Sequence, residues 1–273
     1  MDTHDSACAG VLPQVDATNL VDRTELEQKV RAMYRTVAED PAASRHFELG
    51  RDLAVRLGYP EALLDAVPAG AVASFAGVGY HLDLARLAPG DRVLDLGSGA
   101  GTDVFCAARL VDGASLAIGV DFTEAQLSKS RALAMLHGTA NVSFVEATID
   151  RLPFQNESFD VVISNGVINL SPVKQRVFSE AARVLRPEGR LAISDLVSTS
   201  PLEEATRRNT ELWAACIAGA VPISAYCDGL AEAGFTIVAK RRNDYSFLTE
   251  RARAASTRYG VESVGIAAVR TVD

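Results

Sequence analysis

The sequence predicts an α/β fold, in which a doubly wound, seven-stranded, mostly parallel sheet follows an N-terminal helical cap. Two observations predict it. From Pro89 onward, short apolar runs alternate with stretches of helical periodicity, as in a parallel sheet whose crossover helices cover both faces. The runs are also apolar at successive positions, which indicates strands that are buried on both faces. A chain of 273 residues is long enough for one large domain with additions.

The helical cap is predicted over residues 21–88, after a loose leader over 1–20 that shows no clear periodicity. Apolar side chains recur at helical spacing over Arg23–Glu39, which predicts an amphipathic helix. Further helices are predicted over Ser44–Leu57, ended by a glycine and a nearby proline, and over Glu61–Val67. A run of small residues then leads into the sheet domain.

The sheet domain is predicted over 89–273, with a helical insertion near 201–222. The last two strands are separated by a loop or short helix, which suits an antiparallel hairpin at one edge of the sheet. The predicted strands are Arg92–Leu96, Ser115–Val120, Val142–Glu146, Phe159–Ser164, Arg190–Ser194, Phe235–Lys240 and Ser263–Val269. The predicted helical stretches are Thr102–Val111, Glu124–His137, Lys174–Leu185, Pro201–Ala218 and Ile223–Ala233.

The composition limits the classes of partner. A formal net charge of -8 opposes binding to phosphate backbones and anionic lipid, so we expect neither nucleic acid nor membrane as a partner. No apolar stretch reaches the roughly 18 residues of a membrane span. The cysteines form no C-x-x-C pair, so no metal site is predicted, and we expect a cytoplasmic protein with reduced thiols. The sequence leaves monomer and homodimer open. The cysteines are Cys8, Cys106, Cys216 and Cys227.

A glycine-rich loop after the first strand indicates a ligand site. Gly97, Gly99 and Gly101 allow a tight turn and a close approach of the backbone to a ligand at the start of the next helix. The dinucleotide fingerprint places its last small residue where this chain has Thr102. A carboxylate beside the loop suits the cationic amino group of a methionine moiety and would repel a pyrophosphate. The residues predicted to bind the cofactor here are Asp95, Gly97, Ser98, Gly99, Gly101, Thr102 and Asp103.

Polar residues at the ends of the next strands extend this site. Asp121 ends the second strand, where a carboxylate accepts hydrogen bonds from ribose hydroxyls, and capping of the next helix is the plain alternative. The third strand leads to a segment expected near an adenine ring, where Ile149 packs on the ring and Asp150 or the backbone reaches its amino group. Ser164 and Asn165 end the fourth strand and are expected to face the reacting group, although an ordinary turn is possible. The further predicted cofactor residues are Asp121, Phe122, Thr148, Ile149 and Asn165.

Five segments in this order resemble the Rossmann-like, seven-stranded S-adenosylmethionine-dependent methyltransferases. They read VLDLGSGAGTD, GVDFT, LPF, FDVVISNGVINLSP and RVLRPEGRLAISD. The segments Ile168–Pro172, Leu191–Asp195 and Cys216–Ala220 resemble the arsenite methyltransferase branch more closely. The resemblance covers about residues 70–240. It implies methyl transfer from S-adenosyl-L-methionine to trivalent arsenic held by cysteine thiolates.

The chain departs from that branch at two of the three arsenic-binding positions. Val78 stands in the family's Gly-Cys-Gly segment, and Gly166 follows Ser164-Asn165 where the family has cysteine. Cys216 remains. Cys106 is interpreted as a packing residue, and Cys227 and Cys8 have only weak support as additional ligands. Two hypotheses follow: an arsenite methyltransferase that takes arsenic bound to external thiols or already partly methylated, or a scaffold adapted to an organic small-molecule acceptor.

Candidate residues near the transferred methyl come from three segments. Methyl transfer from a sulfonium is an in-line displacement, in which the protein mainly positions and desolvates the reactants. His81 is the histidine best placed to act as a base, although packing is the commoner role for such a residue. Trp213 and Cys216 are three residues apart and are expected to share one helix face, which either lines the pocket or packs on the sheet. The predicted catalytic candidates are Tyr80, His81, Asn165, Asn169, Trp213 and Cys216.

Two other function classes compete with methyl transfer to a small molecule as interpretations of the sequence. An NAD-dependent oxidoreductase predicts the dinucleotide fingerprint and a Tyr-x-x-x-Lys pair, and no tyrosine of this chain has a lysine four residues later. A non-catalytic cofactor-binding protein is compatible with the intact glycine loop and with the missing family cysteines. The accepting atom is not determined by the sequence.

Overall fold

A computed structural model describes residues 15–40, 47–113 and 115–272. Most of the predicted leader, with Cys8, lies outside the described residues, as does the start of the helix predicted over Ser44–Leu57. No helix in the described part of the chain has both the length and the apolar character needed to cross a bilayer.

The sheet has seven strands in the order β3-β2-β1-β4-β5-β7-β6, which confirms the doubly wound architecture. All neighbouring strands from β3 to β5 pair in parallel, whereas β7 lies antiparallel between β5 and β6. The chain reverses its direction of winding between β1 and β4, so the carboxyl ends of these strands open a crevice at the sheet edge. The strands are β1 (Val93–Leu96), β2 (Ala117–Asp121), β3 (Val142–Glu146), β4 (Phe159–Asn165), β5 (Leu185–Ser198), β6 (Phe235–Arg242) and β7 (Val261–Arg270).

Helices cover both faces of the sheet, and β4 shows why. Its successive side chains point to opposite faces, so Val161 and Ile163 join one buried apolar cluster while Val162 joins the other. The described helices are α1 (Arg23–Glu39), α2 (Arg51–Arg56), α3 (Glu61–Asp65), α4 (Ala69–Ala73), α5 (Leu82–Ala85), α6 (Thr102–Leu110), α7 (Glu124–Leu136), α8 (Lys174–Val184), α9 (Glu204–Arg207), α10 (Thr210–Ala214), α11 (Ile223–Glu232) and α12 (Glu250–Tyr259).

The cap begins with α1 as predicted, because its sequence supplies both a cap and an apolar stripe. The Asp22 side chain accepts a hydrogen bond from the Glu25 N–H, and Leu26, Val30 and Val37 are buried. The helix packs against α7 and α10. The next predicted helix is wrong in length, since α2 begins only at Arg51, after a glycine with φ of 90°.

One other prediction about helices is corrected, and one stated alternative is decided. The helical stretch predicted over Pro201–Ala218 consists of the short helices α9 and α10, because the Asn209 side chain caps α10 by accepting hydrogen bonds from two backbone N–H groups. The connection between β6 and β7 contains α12, a ten-residue helix that Thr249 caps and Gly260 ends in a left-handed conformation. The antiparallel pairing of β6 with β7 is as predicted.

Candidate functional site

A cleft of about 1160 Å³, partly open to solvent, lies at the carboxyl ends of β1, β2, β3 and β4. One wall is formed by α1. Every residue predicted to bind the cofactor lines this cleft except Gly101. These lining residues are Asp95, Gly97, Ser98, Gly99, Thr102, Asp103, Asp121, Phe122, Thr148, Ile149 and Asn165.

The glycine loop adopts a conformation that side chains other than glycine rarely reach. Gly97, Gly99 and Gly101 have φ values of 74°, 52° and 93°. A Cβ at Gly97 would lie 2.5 Å from Cγ1 of Val167, across the cleft floor. Gly101 instead caps α6, and a Cβ there would meet Phe144 at 2.6 Å. Its role is therefore in the turn and in helix packing, not in the cleft wall.

Three buried carboxyl groups, those of Asp95, Asp103 and Asp121, meet at the floor of the cleft. Asp121 accepts hydrogen bonds from the N–H groups of Gly99 at 3.0 Å and Thr123 at 2.8 Å, so it anchors the glycine loop. Burial, together with the charges of Asp103 and Asp121, raises the pKa of Asp95 well above its usual range. Such a group is stabilised as a carboxylate when a cation binds beside it.

The donor and acceptor groups of the cleft fit S-adenosylmethionine, whose amino group and sulfonium are cationic. Asp95 matches the amino group in charge. The buried Ser98 Oγ and Gln126 Oε1 have no hydrogen-bond partner among the described residues, and both residues line the cleft. Unsatisfied buried polar atoms are rare in folded proteins, so these two indicate where a polar ligand binds.

Asn165 joins the end of β4 to the segment that precedes α5. Its Nδ2 donates to the carbonyl oxygen of Gly79 at 3.0 Å, the hydroxyl of Tyr59 at 3.1 Å and Oδ2 of Asp103 at 3.2 Å. Its Oδ1 accepts from the N–H of Val78 at 2.8 Å. A side chain with four such contacts has one orientation, and it lies at the cleft wall; its role toward the cofactor stays a prediction.

Polar contacts fasten α1 to the rim of the cleft. Arg23 forms an ion pair with Asp150 at 3.0 Å, so this carboxyl, which was expected to reach an adenine amino group, is already engaged. The guanidinium of Arg31 lies 4.4 Å above the ring of Phe122 and donates to its carbonyl oxygen. Gln126 Nε2 donates to the backbone carbonyl of Tyr34 at 2.9 Å. The cleft therefore has a wall contributed by the cap.

Cys216 lies next to this wall but does not itself line the cleft. Tyr34, a cleft residue, lies close enough to Cys216 for its hydroxyl to affect the pKa of the thiol. Burial, and secondarily the charge of Asp195, raises the pKa of the Cys216 thiol to about 12. The expectation that Cys216 shares a helix face with Trp213 is wrong. The helix α10 ends at Ala214, and Cys216 follows in a left-handed conformation with φ of 61°.

The structure brings the three family cysteine positions into one region. A Cβ at Gly166 would lie 3.3 Å from Cγ1 of Val78. Val78 and Cys216 belong to the same buried apolar cluster, against which Tyr34 and Phe122 pack. The region therefore contains one thiol among apolar groups. Gly166 has φ of 72°, so a side chain at this position would be strained as well as close to Val78.

The comparison with protein families is decisive. A model of the methyltransferase domain matches residues 87–252, more than half of the chain. The chain belongs to the S-adenosylmethionine-dependent methyltransferases. The arsenite methyltransferase of Halobacterium salinarum is 44% identical over 183 residues, which are 67% of this chain and 46% of that protein. The human arsenite methyltransferase is 38% identical over 138 residues, 47% of this chain and 37% of that protein. This methyltransferase thus spans less than half the length of these relatives.

Solved structures agree with the family. The arsenic(III) S-adenosylmethionine methyltransferase of Chlamydomonas reinhardtii has a TM-score of 0.61 and 29% identity, over 82% of this chain and 74% of that one. A geranyl diphosphate methyltransferase, solved with GPP and sinefungin, has a TM-score of 0.64 at 18% identity, over 90% of this chain and all of that one. The second comparison shows a shared fold only.

Besides Cys216, four other catalytic candidates lie outside the cleft wall of the methyltransferase. Trp213 is buried and donates from Nε1 to the carbonyl of Arg207 at 2.6 Å. His81 is fully buried, which lowers its pKa and favours the neutral imidazole. Tyr80 packs at 4.7 Å from the ring of Tyr59. Asn169 is buried behind the cleft. A catalytic role for these residues stays a prediction. These four candidates are Tyr80, His81, Asn169 and Trp213.

No sequence motif indicated two residues that line the cleft, Tyr34 and Gln126, or Tyr59, which contacts cleft residues from outside. Tyr34 belongs to the apolar stripe of α1, where its spacing indicates packing and gives no hint of a site. Gln126 lies within α7 and Tyr59 in a connection of the cap, so neither has a motif around it. The helical periodicity of α7 could have shown that Gln126 lies on the buried face of the helix, where a glutamine is unusual. The contacts of Tyr59 with Asp103 and Asn165 depend on the packing of separate segments.

Proposed function

We propose that this methyltransferase transfers the methyl group of S-adenosylmethionine to a small acceptor whose nucleophile is a soft atom, such as sulfur or substituted trivalent arsenic. The observation that supports this most is the juxtaposition of the acidic cleft with an apolar region that contains Cys216, because Tyr34 both lines the cleft and packs against that region. The acceptor would lie among these apolar groups, close to the cleft.

The chain's own residues bind and orient the donor in this proposal. Asp95 holds the amino group, Asp121 accepts from the ribose hydroxyls, and the segment containing Thr148 and Ile149 contacts the adenine. When bound, S-adenosylmethionine supplies an electrophilic methyl group on its sulfonium. The apolar residues of the wall, among them Leu26 and Phe75, exclude water from that group. Orientation of two reactants in this way is worth roughly 7–11 kcal/mol of the activation barrier.

The composition of the cleft wall favours an acceptor that needs no strong base. The described residues that line the cleft include no histidine and no lysine. Asp103 accepts hydrogen bonds from Tyr59 and Asn165, and Asp121 accepts them from two backbone N–H groups and, in this proposal, from the ribose, so neither is assigned as a base. A thiolate, a tertiary amine or an arsenic lone pair can attack a methyl group without losing a proton to the protein. The apolar region around Cys216 favours the softer and less polar of these nucleophiles.

The number of protein thiols distinguishes two forms of arsenic as acceptors. Three thiolates would replace all three oxygens of arsenite, but Val78 and Gly166 supply none. With Cys216 as the single ligand, the remaining bonds of arsenic must go to external thiols or to methyl groups. We therefore propose that arsenic, if it is the acceptor, arrives with such substituents.

An assay of S-adenosylhomocysteine release tests this proposal. The purified full chain is incubated with S-adenosylmethionine and, in parallel, with arsenite plus glutathione, a monomethylated trivalent arsenical, a set of small organic thiols, or no acceptor. We expect release with at least one soft acceptor, and loss of arsenic-dependent release in Cys216→Ser. Cofactor binding by calorimetry without release in any arm would contradict the proposal and would favour a non-catalytic cofactor-binding protein.

A further inference from the structure

A lysine is completely buried behind the apolar region that contains Cys216. Lys174, at the start of α8, donates from Nζ to the carbonyl oxygens of Asn169 at 3.0 Å and Ser171 at 2.7 Å. Its Nζ also lies 4.9 Å from the centre of the Trp213 ring. Burying an ammonium group costs free energy because the charge loses its hydration, so the position of Lys174 requires an explanation.

The opposite charge is buried on the other side of Asn169, against its N–H group. Asp195, in β5, accepts a hydrogen bond from the N–H of Asn169 at 2.9 Å and from the hydroxyl of Tyr226 at 3.0 Å. Burial raises the pKa of Asp195 to about 6 and lowers that of Lys174 to about 7, and their mutual attraction opposes both shifts. The N–H of Asn169 thus meets the anion while its carbonyl meets the cation, which fixes the orientation of this residue.

The side chain of Asn169 then reaches the Cys216 turn. Its Nδ2 donates to the carbonyl oxygen of Cys216 at 3.2 Å, and the side chain lies near the Cys216 sulfur. The N–H of Cys216 donates to the carbonyl of Trp213 at 2.8 Å, and Trp213 is the residue that Lys174 contacts. Both polar backbone groups of Cys216 are therefore connected to the buried charges.

The backbone of Cys216 explains what these contacts do. A residue other than glycine in the left-handed region is strained and persists only where the surroundings hold it, and Cys216 has φ of 61°. The turn is tight on its other side as well, since a Cβ at Gly219 would overlap the carbonyl oxygen of Asn169.

We propose that Lys174 and Asp195 are positioning residues that hold Cys216, through Asn169, in the strained turn where its sulfur faces Tyr34. The proposal rests on the role of Cys216 in the proposed function, and its test does not depend on methyl transfer. Without the two charges, the backbone N–H and carbonyl groups of Asn169 would no longer be held in one orientation. The side chain of Asn169 would then release the Cys216 turn, and the thiol would lose its fixed position beside the cleft.

Alkylation of the native full chain by iodoacetamide, followed by peptide mapping, tests the proposal. The chain supplies its own references, because Cys106 is buried in α6 and Cys227 is partly exposed on α11. We expect Cys216 to react at least tenfold faster in Lys174→Met and in Asn169→Ala than in the unmodified chain, while the rate at Cys106 changes less than twofold. Lys240→Met, a change at an exposed lysine of β6, is the matched control and should leave Cys216 unchanged.

Cofactor affinity separates positioning from general damage. Lys174 does not line the cleft, so the dissociation constant of S-adenosylmethionine should stay within twofold in Lys174→Met, whereas the KM for any acceptor identified above should rise. Equal acceleration at Cys106 and Cys216, or no acceleration of Cys216 in either variant, would overturn the proposal. If circular dichroism shows Lys174→Met to be unfolded, Asn169→Ala decides, because it removes the link and leaves both charges in place.

Discussion

Replacing Asn165 by aspartate tests the hydrogen-bond network that shapes the cleft. The substitution keeps the size of the side chain and the acceptor for the Val78 N–H, but it turns the donor Nδ2 into an oxygen. That atom lies 3.2 Å from Oδ2 of Asp103 and 3.0 Å from the carbonyl oxygen of Gly79. Two favourable contacts thereby become repulsive.

The size of the effect follows from these distances. Two charges about 3.2 Å apart repel by about 5 kcal/mol at an effective dielectric constant near 20. The protein relieves most of this repulsion by keeping the introduced carboxyl protonated. A relief of about 4 kcal/mol corresponds to a rise of roughly three units in the pKa of that carboxyl. Its pKa would therefore rise from about 3.9 in the unfolded chain to about 7 in the folded one.

The sign of the pH dependence is fixed by that shift. A carboxyl whose pKa is higher in the folded state destabilises the fold increasingly as pH rises from the unfolded to the folded pKa. We expect the loss of unfolding free energy in Asn165→Asp, relative to the unmodified chain, to grow by about 2–3 kcal/mol between pH 5 and pH 8. Urea titration can follow it, because Trp213 is the single tryptophan and is buried.

Asn165→Leu is the control for this experiment. It removes the same donors without adding a carboxyl, so its cost, about 3 kcal/mol from hydrogen bonds of roughly 0.5–1.5 kcal/mol each, should not depend on pH. If Asn165→Asp loses the same free energy at pH 5 and at pH 8, the amide does not face Asp103 and the described network is incorrect.

Three other substitutions give separate tests of the cleft. Asp95→Asn should raise the melting temperature of the ligand-free chain at pH 8 by a few degrees, since it removes a buried charge of raised pKa. The same change should weaken the binding of S-adenosylmethionine at least tenfold in calorimetry. A lower melting temperature would contradict the described cluster of buried carboxyl groups. Asp121→Ala should weaken cofactor binding by on the order of 1.5–3 kcal/mol, and an unchanged dissociation constant would refute the ribose assignment. Gly97→Ala should lower unfolding free energy by about 1–3 kcal/mol in denaturant titration, because of its positive φ and its approach to Val167; unaltered stability would show that the loop is not strained.

Much of the fold could be predicted because it depends on short-range patterns. Apolar runs such as Val93–Leu96 can be buried only inside a sheet, and the alternation of strand and helix then requires parallel crossovers. The failures lie where short-range patterns compete. Ser44–Leu57 has helical periodicity but its helix begins at Arg51, and the stretch Pro201–Ala218 is divided into two short helices where Asn209 caps the second.

The candidate site shows the same division. The cofactor residues follow strand ends, so the sheet alone brings them to one edge, and only Gly101 turned out to serve the turn behind it. The acceptor side was less predictable. Cys216 was expected on a helix face, but it lies in a turn whose conformation depends on hydrogen bonds from Trp213 and Asn169.

By itself, the sequence determined the doubly wound sheet, the glycine loop and the carboxylates at the strand ends, because each follows from a local pattern and from the rule that parallel strands end together. Only the tertiary structure decided that Tyr34 of the cap lies next to Cys216, and that Val78 lies next to Gly166. It also decided that Asp195 and Lys174 bind the N–H and the carbonyl oxygen of Asn169. These contacts join residues that are far apart in the chain, and close packing of whole elements sets their distances.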